Sequence, residues 1–391
     1  MPILKAPSRG FHQEEYESRT EAFQRWMRIK KIDVAFFTTE PEFRYFSGFT
    51  SQFWESPTRP WFLVVPLTGK PIAVVPAIGA AGFENCWIDD VRSWPSPRPE
   101  DDGITLLAKT LKEQARRFHC IGAMLGPETH LRMPAANFSY LKTLLGMIDI
   151  KDVSESVREV RSIKSKAEIA KIRFACEVTA YGFEYLKQNL KIGMTEREAC
   201  KLMHVEMLSK GADKCPYLIS ASGHGGYDNI IMGPTDRPLG EGDVLIIDSG
   251  ANFDGYFSDF DRNFGFGTQS EKLVSAYDAV YQATEAALSV AGPGVTTGEL
   301  WQVMWSVLRR AGALGNDVGR MGHGLGMQLT EWPSHVAGGD VELREGMVLT
   351  LEPGMNFAPN KMMVHEDNIV ITASGCELLH TRTWEKMPII T

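Results

Sequence analysis

The stretch DVLIIDSGANFDGYFSDFDR, residues 243–262, decides the fold of the C-terminal half of the chain. Residues 244–247 form a continuous apolar run, which predicts a buried strand. The pair Asp254-Gly255 is typical of a hairpin turn, so a second strand should follow through Asp259. Such a hairpin can bring Asp248 and Asp259, which are eleven residues apart, side by side.

Three further segments each carry a side chain that suits a metal ion. The segment GHGLG (322–326) surrounds His323 with small residues, which allow a close approach. The segment LTLEPG (349–354) places Glu352 at the end of a predicted strand, and VHEDNIVIT (364–372) places Glu366 near the start of another. With Asp248 and Asp259 they make a donor set of carboxylates and one imidazole. A pair of divalent first-row metal ions prefers such ligands, and bridging carboxylates can hold two ions about 3.5–4 Å apart.

These segments resemble the metal-binding motifs of the pita-bread family, which includes the Xaa-Pro peptidases, methionine aminopeptidase and the non-peptidase creatinase. The resemblance covers roughly residues 160–375 well and the N-terminal part in overall layout. It implies two divalent metal ions, for which Mn, Co, Fe and Zn all fit. It also implies that Asp259 and Glu366 bridge the ions, that Asp248 binds one, and that His323 and Glu352 bind the other. Glu352 is then the candidate catalytic residue that handles the proton of the attacking water.

Three positions depart from the Xaa-Pro peptidase pattern. Ile231 and Thr330 stand where those peptidases usually carry substrate-site histidines, and Val364 stands where they usually carry an arginine. In the peptidases the imidazoles stabilise the charge that develops on the substrate carbonyl. We therefore expect the metal ions to be kept while the substrate or the reaction has changed.

Other side chains could refill the missing roles. His224 and His335 are candidate catalytic residues, and Tyr227 and His365 are candidate substrate-binding residues. Each of these four is equally well interpreted as a surface or loop residue. Thr330 is included among the candidate substrate-binding residues because of the position that it occupies.

Two charged residues outside the ligand set are open to two interpretations each. Asp261 stands where the family usually has Thr, and it is either an extra acid near the metals or a strand charge facing Arg262. Arg59 lies in the turn-rich stretch WESPTRPW (54–61). In the creatinase branch, a similar stretch crosses the dimer interface and lends an arginine to the neighbouring active site, where its planar fork suits a carboxylate. The alternative is a loop that packs its tryptophans on its own domain. The resemblance to the creatinase branch implies that the protein forms a homodimer.

Length and composition limit the number of domains, the class of partner and the expected location of the protein. A chain of 391 residues suggests two domains, and a formal charge of −8 argues against a nucleic-acid partner. No apolar stretch reaches the length of a membrane span, and the first residues show no signal-peptide pattern. The cysteines lie far apart without a Cys-x-x-Cys pair, which is typical of reduced thiols. The expected location is therefore the cytoplasm.

Strands that alternate with helices predict a small α/β domain for residues 1–157. Its predicted elements are a helix over 14–30, strands over 32–39, 61–66 and 71–76, a helix over 103–118 and a strand over 121–126. Residues 158–391 form the predicted α+β pita-bread catalytic domain. There Ser165 and Glu168 have capping-box spacing, which predicts a helix to about residue 190, and Thr195 is the predicted N-cap of the next helix. Further helices are expected over 273–290 and 297–311. The similar phrases at Thr195 and Thr296 suggest an internal duplication.

The expected function is metal-dependent hydrolysis of a C–N bond in a dipeptide or a peptide-like small molecule, of the Xaa-Pro dipeptidase or aminopeptidase type. Two alternatives stay open. One is a metal-dependent lyase of the dimethylsulfoniopropionate-cleaving type on the same fold, although that group spaces its first aspartates differently. The other is a non-catalytic binding protein, against which the retained buried acids argue.

Overall fold

The computed structural model describes residues 5–84, 86–317, 319–382 and 384–391 of the chain. Residues 1–4, on which part of the signal-peptide expectation rests, lie outside the described residues. The chain divides into two compact units, Ser8–Arg161 and Ser162–Thr391. The boundary predicted between residues 157 and 158 falls inside the helix Ser154–Ser162.

The N-terminal unit is built on one mixed sheet with the strand order β4-β3-β2-β1-β5-β6. Its strands are β1 (Val34–Phe37), β2 (Phe62–Pro66), β3 (Ile72–Pro76), β4 (Asp90–Trp94), β5 (Cys120–Ala123) and β6 (Asp149–Asp152). Its helices are α1 (Gln13–Lys30), α2 (Glu40–Ser47), α3 (Ile104–Gln114), α4 (Ala135–Leu145) and α5 (Ser154–Ser162), with short 3-10 turns at Phe53–Glu55 and Ala77–Phe83. Strand β1 pairs antiparallel with β2 and parallel with β5. The unit is therefore α/β, as predicted.

The central strands of this sheet are buried because their sequences are apolar on both faces. Every residue of β1, β2 and β3 is buried, which is typical of a sheet covered on both sides. Helix α1 begins with Glu14 and Glu15 and ends with Arg28 and Lys30, charges that favour its dipole. The observed strands β1, β2 and β3 are shorter than the predicted ones, and the end residues of each apolar run lie in the adjoining loops.

The C-terminal unit combines long helices with several antiparallel sheets, which makes it α+β. Its helices are α6 (Lys166–Asn189), α7 (Glu196–Ser209), α8 (Glu271–Val290) and α9 (Thr297–Arg310). Its strands are β7 (Leu218–His224), β8 (Asp243–Ser249), β9 (Asn252–Phe253), β10 (Tyr256–Phe257), β11 (Asp261–Phe266), β12 (His323–Gly324), β13 (Glu331–Ser334), β14 (Val348–Leu351), β15 (Gly354–Ala358), β16 (Lys361–Val364), β17 (Asp367–Thr372), β18 (Gly375–Leu378) and β19 (Ile389–Ile390). The two larger sheets have the orders β19-β11-β8-β7 and β13-β12-β14-β17-β18.

The helix starts of this unit follow the predicted capping. Ser165 and Thr195 both form complete capping boxes, with Glu168 and Glu198 as the third helical residues. Thr296 does the same for α9 through Glu299. Each box satisfies backbone N–H groups that a helix start leaves unpaired, so the boundaries are encoded locally.

The two similar phrases before α7 and α9, which suggest an internal duplication, make the same backbone hydrogen bonds. The N–H of Gly193, before α7, donates to the carbonyl of Leu239 at 2.8 Å, and the N–H of Gly294, before α9, donates to that of Leu343 at 2.9 Å. Leu239 and Leu343 each donate back to the residue after the respective glycine, both at 2.8 Å. The starts of α7 and α9 are therefore bonded in the same way to the segments that precede β8 and β14.

The hairpin predicted at Asp254-Gly255 is present between β9 and β10. Asp254 has φ 49° and Gly255 has φ 86°, the left-handed pair that a two-residue turn of this kind requires. Among the described helices, none is both long and apolar enough to cross a membrane. All six cysteines carry free thiols.

Candidate metal centre

Asp248 lies near the end of β8, which runs between β7 and β11. The register of the β8–β11 pair places it directly opposite Asp261. The sequence had predicted Asp259 as its neighbour on the second strand. The two-residue β10 ends before Asp259, and β11 begins after it, so Asp259 lies in the link between them. Asp259 nevertheless lies close enough to Asp248 to raise the pKa of its carboxyl group, after burial and Asp261.

Asp259 is buried and held by side chains from two other segments. Its backbone N–H donates to Asn368 Oδ1 at 3.1 Å, and Asn368 Nδ2 donates back to its carbonyl. The hydroxyl of Tyr217 donates to Asp259 Oδ1 in a short hydrogen bond. Because Asn368 lies two residues beyond Glu366, these bonds fix Asp259 relative to Glu366.

His323 presents one ring nitrogen to the acids. Its Nδ1–H donates to the carbonyl of Gly324 at 2.8 Å, which leaves Nε2 as the acceptor nitrogen. That nitrogen lies 3.4 Å from Asp259 Oδ2 and 3.8 Å from Glu366 Oε1. The backbone N–H of His323 donates to Thr350 Oγ1 at 3.1 Å, which ties the residue to β14.

The backbone of Glu366 is held by Arg262, which also binds the adjacent Asp367. Arg262 donates to the carbonyl of Glu366 and, at 2.6 Å, to Asp367 Oδ1. Asp367 also contacts His365 and Arg382. Burial alone would raise the pKa of Asp367, but Arg262, His365 and His380 outweigh it, so that pKa lies well below its usual range.

The acids and His323 form two overlapping groups of possible metal ligands. One group contains Asp259, His323 and Glu366, and the other contains Asp248, Asp261 and Glu366. Within each group the ligand atoms all lie within 4.8 Å of one another. Glu366 belongs to both. Glu352 belongs to neither group among the described residues, although it follows β14 directly and its charge acts on Asp248 and Glu366.

The cluster holds several buried carboxyl groups close together, so their ionised forms would be stabilised by a nearby positive charge. Burial, and after it the repulsion between neighbouring carboxylates, raises the pKa of Asp248, Glu352 and Glu366 well above the ordinary range. The same causes raise the pKa of Asp261 to about 8, although Arg262 opposes them. Asp248 Oδ1, Asp261 Oδ1 and Glu366 Oε1 are buried without a hydrogen-bond partner among the described residues. Unpartnered carboxylate oxygens of this kind fit a set of ligands for cations.

His335 and His365, predicted as catalytic and substrate-binding residues, are both fully buried. His335 Nε2–H donates to the carbonyl of Thr350 at 3.1 Å, and burial together with nearby His323 lowers its pKa to about 3. His365 Nε2–H donates to Asp367 Oδ2 at 3.1 Å, and burial lowers its pKa as well. Both rings are enclosed by protein and have no access to solvent.

Tyr227 and His224 also bind protein groups rather than facing the acids. Tyr227 is 2% exposed, and its hydroxyl donates to Asn263 Oδ1 and accepts from the N–H of Val364, both at 2.9 Å. A hydroxyl that holds two strand segments together is a structural element. His224 is exposed at the end of β7, where its Nδ1–H donates to the carbonyl of Glu241 at 3.3 Å.

Thr330 and Arg59, the remaining predicted substrate residues, are half-buried and form side-chain hydrogen bonds with protein groups. Thr330 is half-buried, and its hydroxyl accepts a hydrogen bond from Arg320 at 3.2 Å. Arg59, in the N-terminal unit, has φ 53° and donates from Nε to Ser96 Oγ at 3.1 Å. The adjoining tryptophans pack within that unit, with Trp54 5.4 Å and Trp61 6.4 Å from the ring of Phe43.

Ile231 and Val364, two of the positions at which we expected a departure from the peptidase pattern, have different environments. Ile231 is 78% exposed, whereas Val364 is fully buried in the core formed with α8 and α9. Two polar residues near the centre were not predicted from the sequence: Tyr217 and Arg320. For Asp261 two interpretations were left open, and its position among Asp248 and Glu366 agrees with the acid near the proposed metal ligands. The roles of Tyr217 and Arg320 depend on tertiary contacts that no local pattern encodes.

Comparison with known proteins agrees with this architecture. Residues 170–373, more than half of the chain, match the model of metallopeptidase family M24, and residues 19–163 match the creatinase/prolidase N-terminal domain. The Xaa-Pro dipeptidase of Lactobacillus delbrueckii subsp. lactis is 26% identical over 91% of this chain and 94% of its own length. The Xaa-Pro dipeptidase of Pyrococcus horikoshii is 32% identical over 65% of this chain and 72% of its own length.

Solved structures show the same likeness in three dimensions. A recombinant prolidase from Thermococcus sibiricus superimposes with a TM-score of 0.85 at 25% identity, over 96% of this chain and 99% of that one. The dipeptidase PepE from Mycobacterium ulcerans has a TM-score of 0.83 at 26% identity, over 97% and 99% of the two chains. The predicted combination of an α/β creatinase-type domain with a pita-bread catalytic domain is thereby confirmed. This chain belongs to metallopeptidase family M24 and carries the creatinase/prolidase N-terminal domain.

Proposed function

We propose that the protein is a dinuclear metallohydrolase that cleaves the C–N bond of a dipeptide or a peptide-like small molecule. The observation that carries this proposal is the pair of ligand groups that share Glu366. A carboxylate common to two groups is what a bridge between two ions requires. Membership of the M24 family supports the same chemistry.

The proposed ligands are Asp248, Asp259, His323, Glu352 and Glu366, with Asp259 and Glu366 as bridges. The donor set fits divalent ions because it is rich in carboxylate oxygens and contains one imidazole whose free nitrogen faces them. Mn, Co, Fe and Zn all accept such ligands, and manganese suits the excess of oxygen best. Bound at this site, the ions would polarise the substrate carbonyl and activate water.

The protein's own contribution to the reaction is proton transfer and orientation. Glu352 is half-buried, so it combines contact with the acid cluster and access to solvent. We assign to it the removal of a proton from the attacking water and its delivery to the leaving nitrogen. Tyr217 and Asn368 hold Asp259 in place while this happens.

The substrate is proposed to be a small molecule with a carboxylate, as a dipeptide has. Arg320 is half-buried, donates to Thr330, and lies close enough to Glu352 to act on its charge. A guanidinium at that position can bind a carboxylate through two oxygens. We propose that Thr330 and Arg320 take the role of the second peptidase histidine, whereas exposed, apolar Ile231 leaves the role of the first unfilled. The relatives named Xaa-Pro dipeptidase make Xaa-Pro dipeptides the first substrates to test.

The test uses protein stripped with EDTA and reloaded with Mn²⁺, incubated with Xaa-Pro dipeptides and, for comparison, Xaa-Ala dipeptides. We expect metal-dependent release of free proline. Glu352→Gln should lower kcat by roughly 10²–10⁴-fold, and the exposed control Glu345→Gln should not. Metal-loaded protein that cleaves none of these peptides would refute the dipeptide proposal. Release of dimethyl sulfide from dimethylsulfoniopropionate would favour the lyase instead.

A homodimer and a cytoplasmic location stay predictions. Light scattering coupled to size-exclusion chromatography checks the first, and a monomer mass at micromolar concentration would contradict it. If the partner's arginine completes the site, Arg59→Ala should raise KM in the dimer. An unchanged KM would leave Arg59 a structural role through its contacts with Ser96 and Phe53 in its own unit.

A further inference from the structure

Asp261 occupies a position on β11 that points into the acid cluster. It is the first residue of the strand and pairs directly with Asp248 on β8. Side chains of directly opposed residues project from the same face of a sheet, about 4.5–5.5 Å apart at Cβ. Asp261 is only 1% exposed, so its carboxyl group is removed from water.

The arginine next to it in sequence donates its hydrogen bonds to groups other than this carboxyl group. Arg262 donates from Nη1 to the backbone carbonyl of Asp261 at 2.9 Å, and from Nη2 to Asp367 at 2.6 Å. Its guanidinium therefore binds the backbone carbonyls of Asp261 and Glu366 and the carboxylate of Asp367. Asp261 Oδ1 has no hydrogen-bond partner among the residues that the structure describes. An ionised carboxylate oxygen in this condition is costly, so the group either holds a proton or binds a cation.

Two neighbouring carboxylate oxygens are also buried without a partner among the described residues. Ligand atoms of Asp248, Asp261 and Glu366 lie within 4.8 Å of one another, and Asp248 Oδ1 and Glu366 Oε1 are also buried without partners in the described chain. We propose that Asp261 is an additional direct ligand of the metal ion held by Asp248 and Glu366. This inference rests on the proposed metal centre, but it does not depend on which substrate the centre hydrolyses.

The extra ligand changes the charge and the selectivity of the centre. In the resembling peptidases this position is usually Thr, a neutral residue. Here a further carboxylate adds one negative charge and one hard oxygen donor beside the ion. Both changes favour oxygen-preferring ions such as Mn²⁺ over Zn²⁺, which more readily accepts nitrogen and sulfur ligands.

The test measures metal binding to EDTA-stripped protein by isothermal titration calorimetry. Wild type should bind two Mn²⁺ per chain. In Asp261→Asn, which keeps the shape of the side chain, we expect one of the two sites to weaken at least tenfold while the other changes less than threefold. Asp261→Thr should weaken the same site and lower the ratio of Mn²⁺ to Zn²⁺ affinity. Asp278→Asn, an exposed aspartate on α8, serves as the matched control and should bind both ions as wild type does.

Several outcomes separate this inference from the proposed function. Wild-type affinity at both sites in Asp261→Asn would overturn the inference and leave the hydrolase proposal standing. Two ions bound without peptide hydrolysis would refute the hydrolase proposal only, because the variant comparison still decides the role of Asp261. If either variant fails to fold, a crystal of Mn²⁺-loaded wild type decides the question. A carboxylate oxygen of Asp261 within about 2.5 Å of an ion supports the inference, and a longer distance overturns it.

Discussion

Asp259 is the residue on which the centre depends most, because other side chains fix both its backbone and its carboxylate. Asn368 binds its N–H and its carbonyl, and Tyr217 binds its carboxylate. Sequence motifs predicted that this aspartate would meet His323 and Glu366, and the structure brings the three together. The motifs could not reveal Tyr217, because a hydrogen bond between residues 42 positions apart leaves no periodic pattern.

Removing the carboxylate of Asp259 should dismantle the centre. In Asp259→Ala we expect less than one metal ion per chain and no measurable turnover, because a proposed bridging ligand is lost. Elemental analysis of protein purified without chelator measures the first, and a dipeptide assay measures the second. Full metal content and activity in this variant would contradict the ligand assignment.

Tyr217 should matter through Asp259 rather than through the substrate. Tyr217→Phe removes only the hydroxyl, so we expect metal affinity to fall by about 10–100-fold, as is typical when a group that orients a ligand is lost. KM at saturating metal should stay close to the wild-type value. Tyr140→Phe, in the N-terminal unit, is the control, since Tyr140 is 44% exposed. A raised KM with unchanged metal affinity would place Tyr217 against the substrate instead.

At the scale of elements, the helix starts that carry capping boxes were predictable, whereas the helices α2, α4 and α5 and the strand registers were not. Ser165 and Thr195 act as predicted because a capping box involves residues only three positions apart. The pairing of Asp248 with Asp261 depends on how the short β9–β10 hairpin is inserted between β8 and β11. The burial of His335 and His365 likewise follows from packing between distant segments, so their sequence context could not exclude a catalytic role.

The capping box of α9 offers a direct test of this local encoding. Thr296→Ala removes the side-chain acceptor for the N–H of Glu299, which should cost about 1 kcal/mol and lower Tm by roughly 2–4 °C. Differential scanning calorimetry measures the change. Thr143→Ala, at an exposed position within α4, should leave Tm nearly unchanged. An equal shift in both variants would show that the cap contributes nothing specific.

At the scale of the whole molecule, the acid cluster links metal binding to stability. In metal-free protein, burial and mutual repulsion raise the pKa of Asp261 to about 8 and raise those of Asp248 and Glu366 as well. Between their ordinary values near pH 4 and these raised values, the folded state binds more protons than the unfolded state. Stability that is present at low pH is therefore lost as pH rises through the raised pKa values.

We accordingly expect the Tm of EDTA-treated protein to fall most clearly between about pH 6.5 and pH 8, because the lowered pKa values of buried His335 and His365 oppose the fall at lower pH. Added Mn²⁺ should raise Tm more at pH 8 than at pH 5, because ionised carboxylates bind the ion and protonated ones do not. Thermal unfolding monitored by circular dichroism across this range checks both trends. A metal-free Tm that rises steadily with pH would mean that the acids are neutralised by other groups.

The most direct test of the metal centre is an anomalous difference map from a crystal of Mn²⁺-loaded protein, recorded on both sides of the manganese absorption edge. The account predicts two peaks about 3.5–4 Å apart, both in contact with Glu366 and flanked by Asp248 on one side and His323 on the other. A map without peaks among these residues, or with manganese bound only elsewhere, would contradict it.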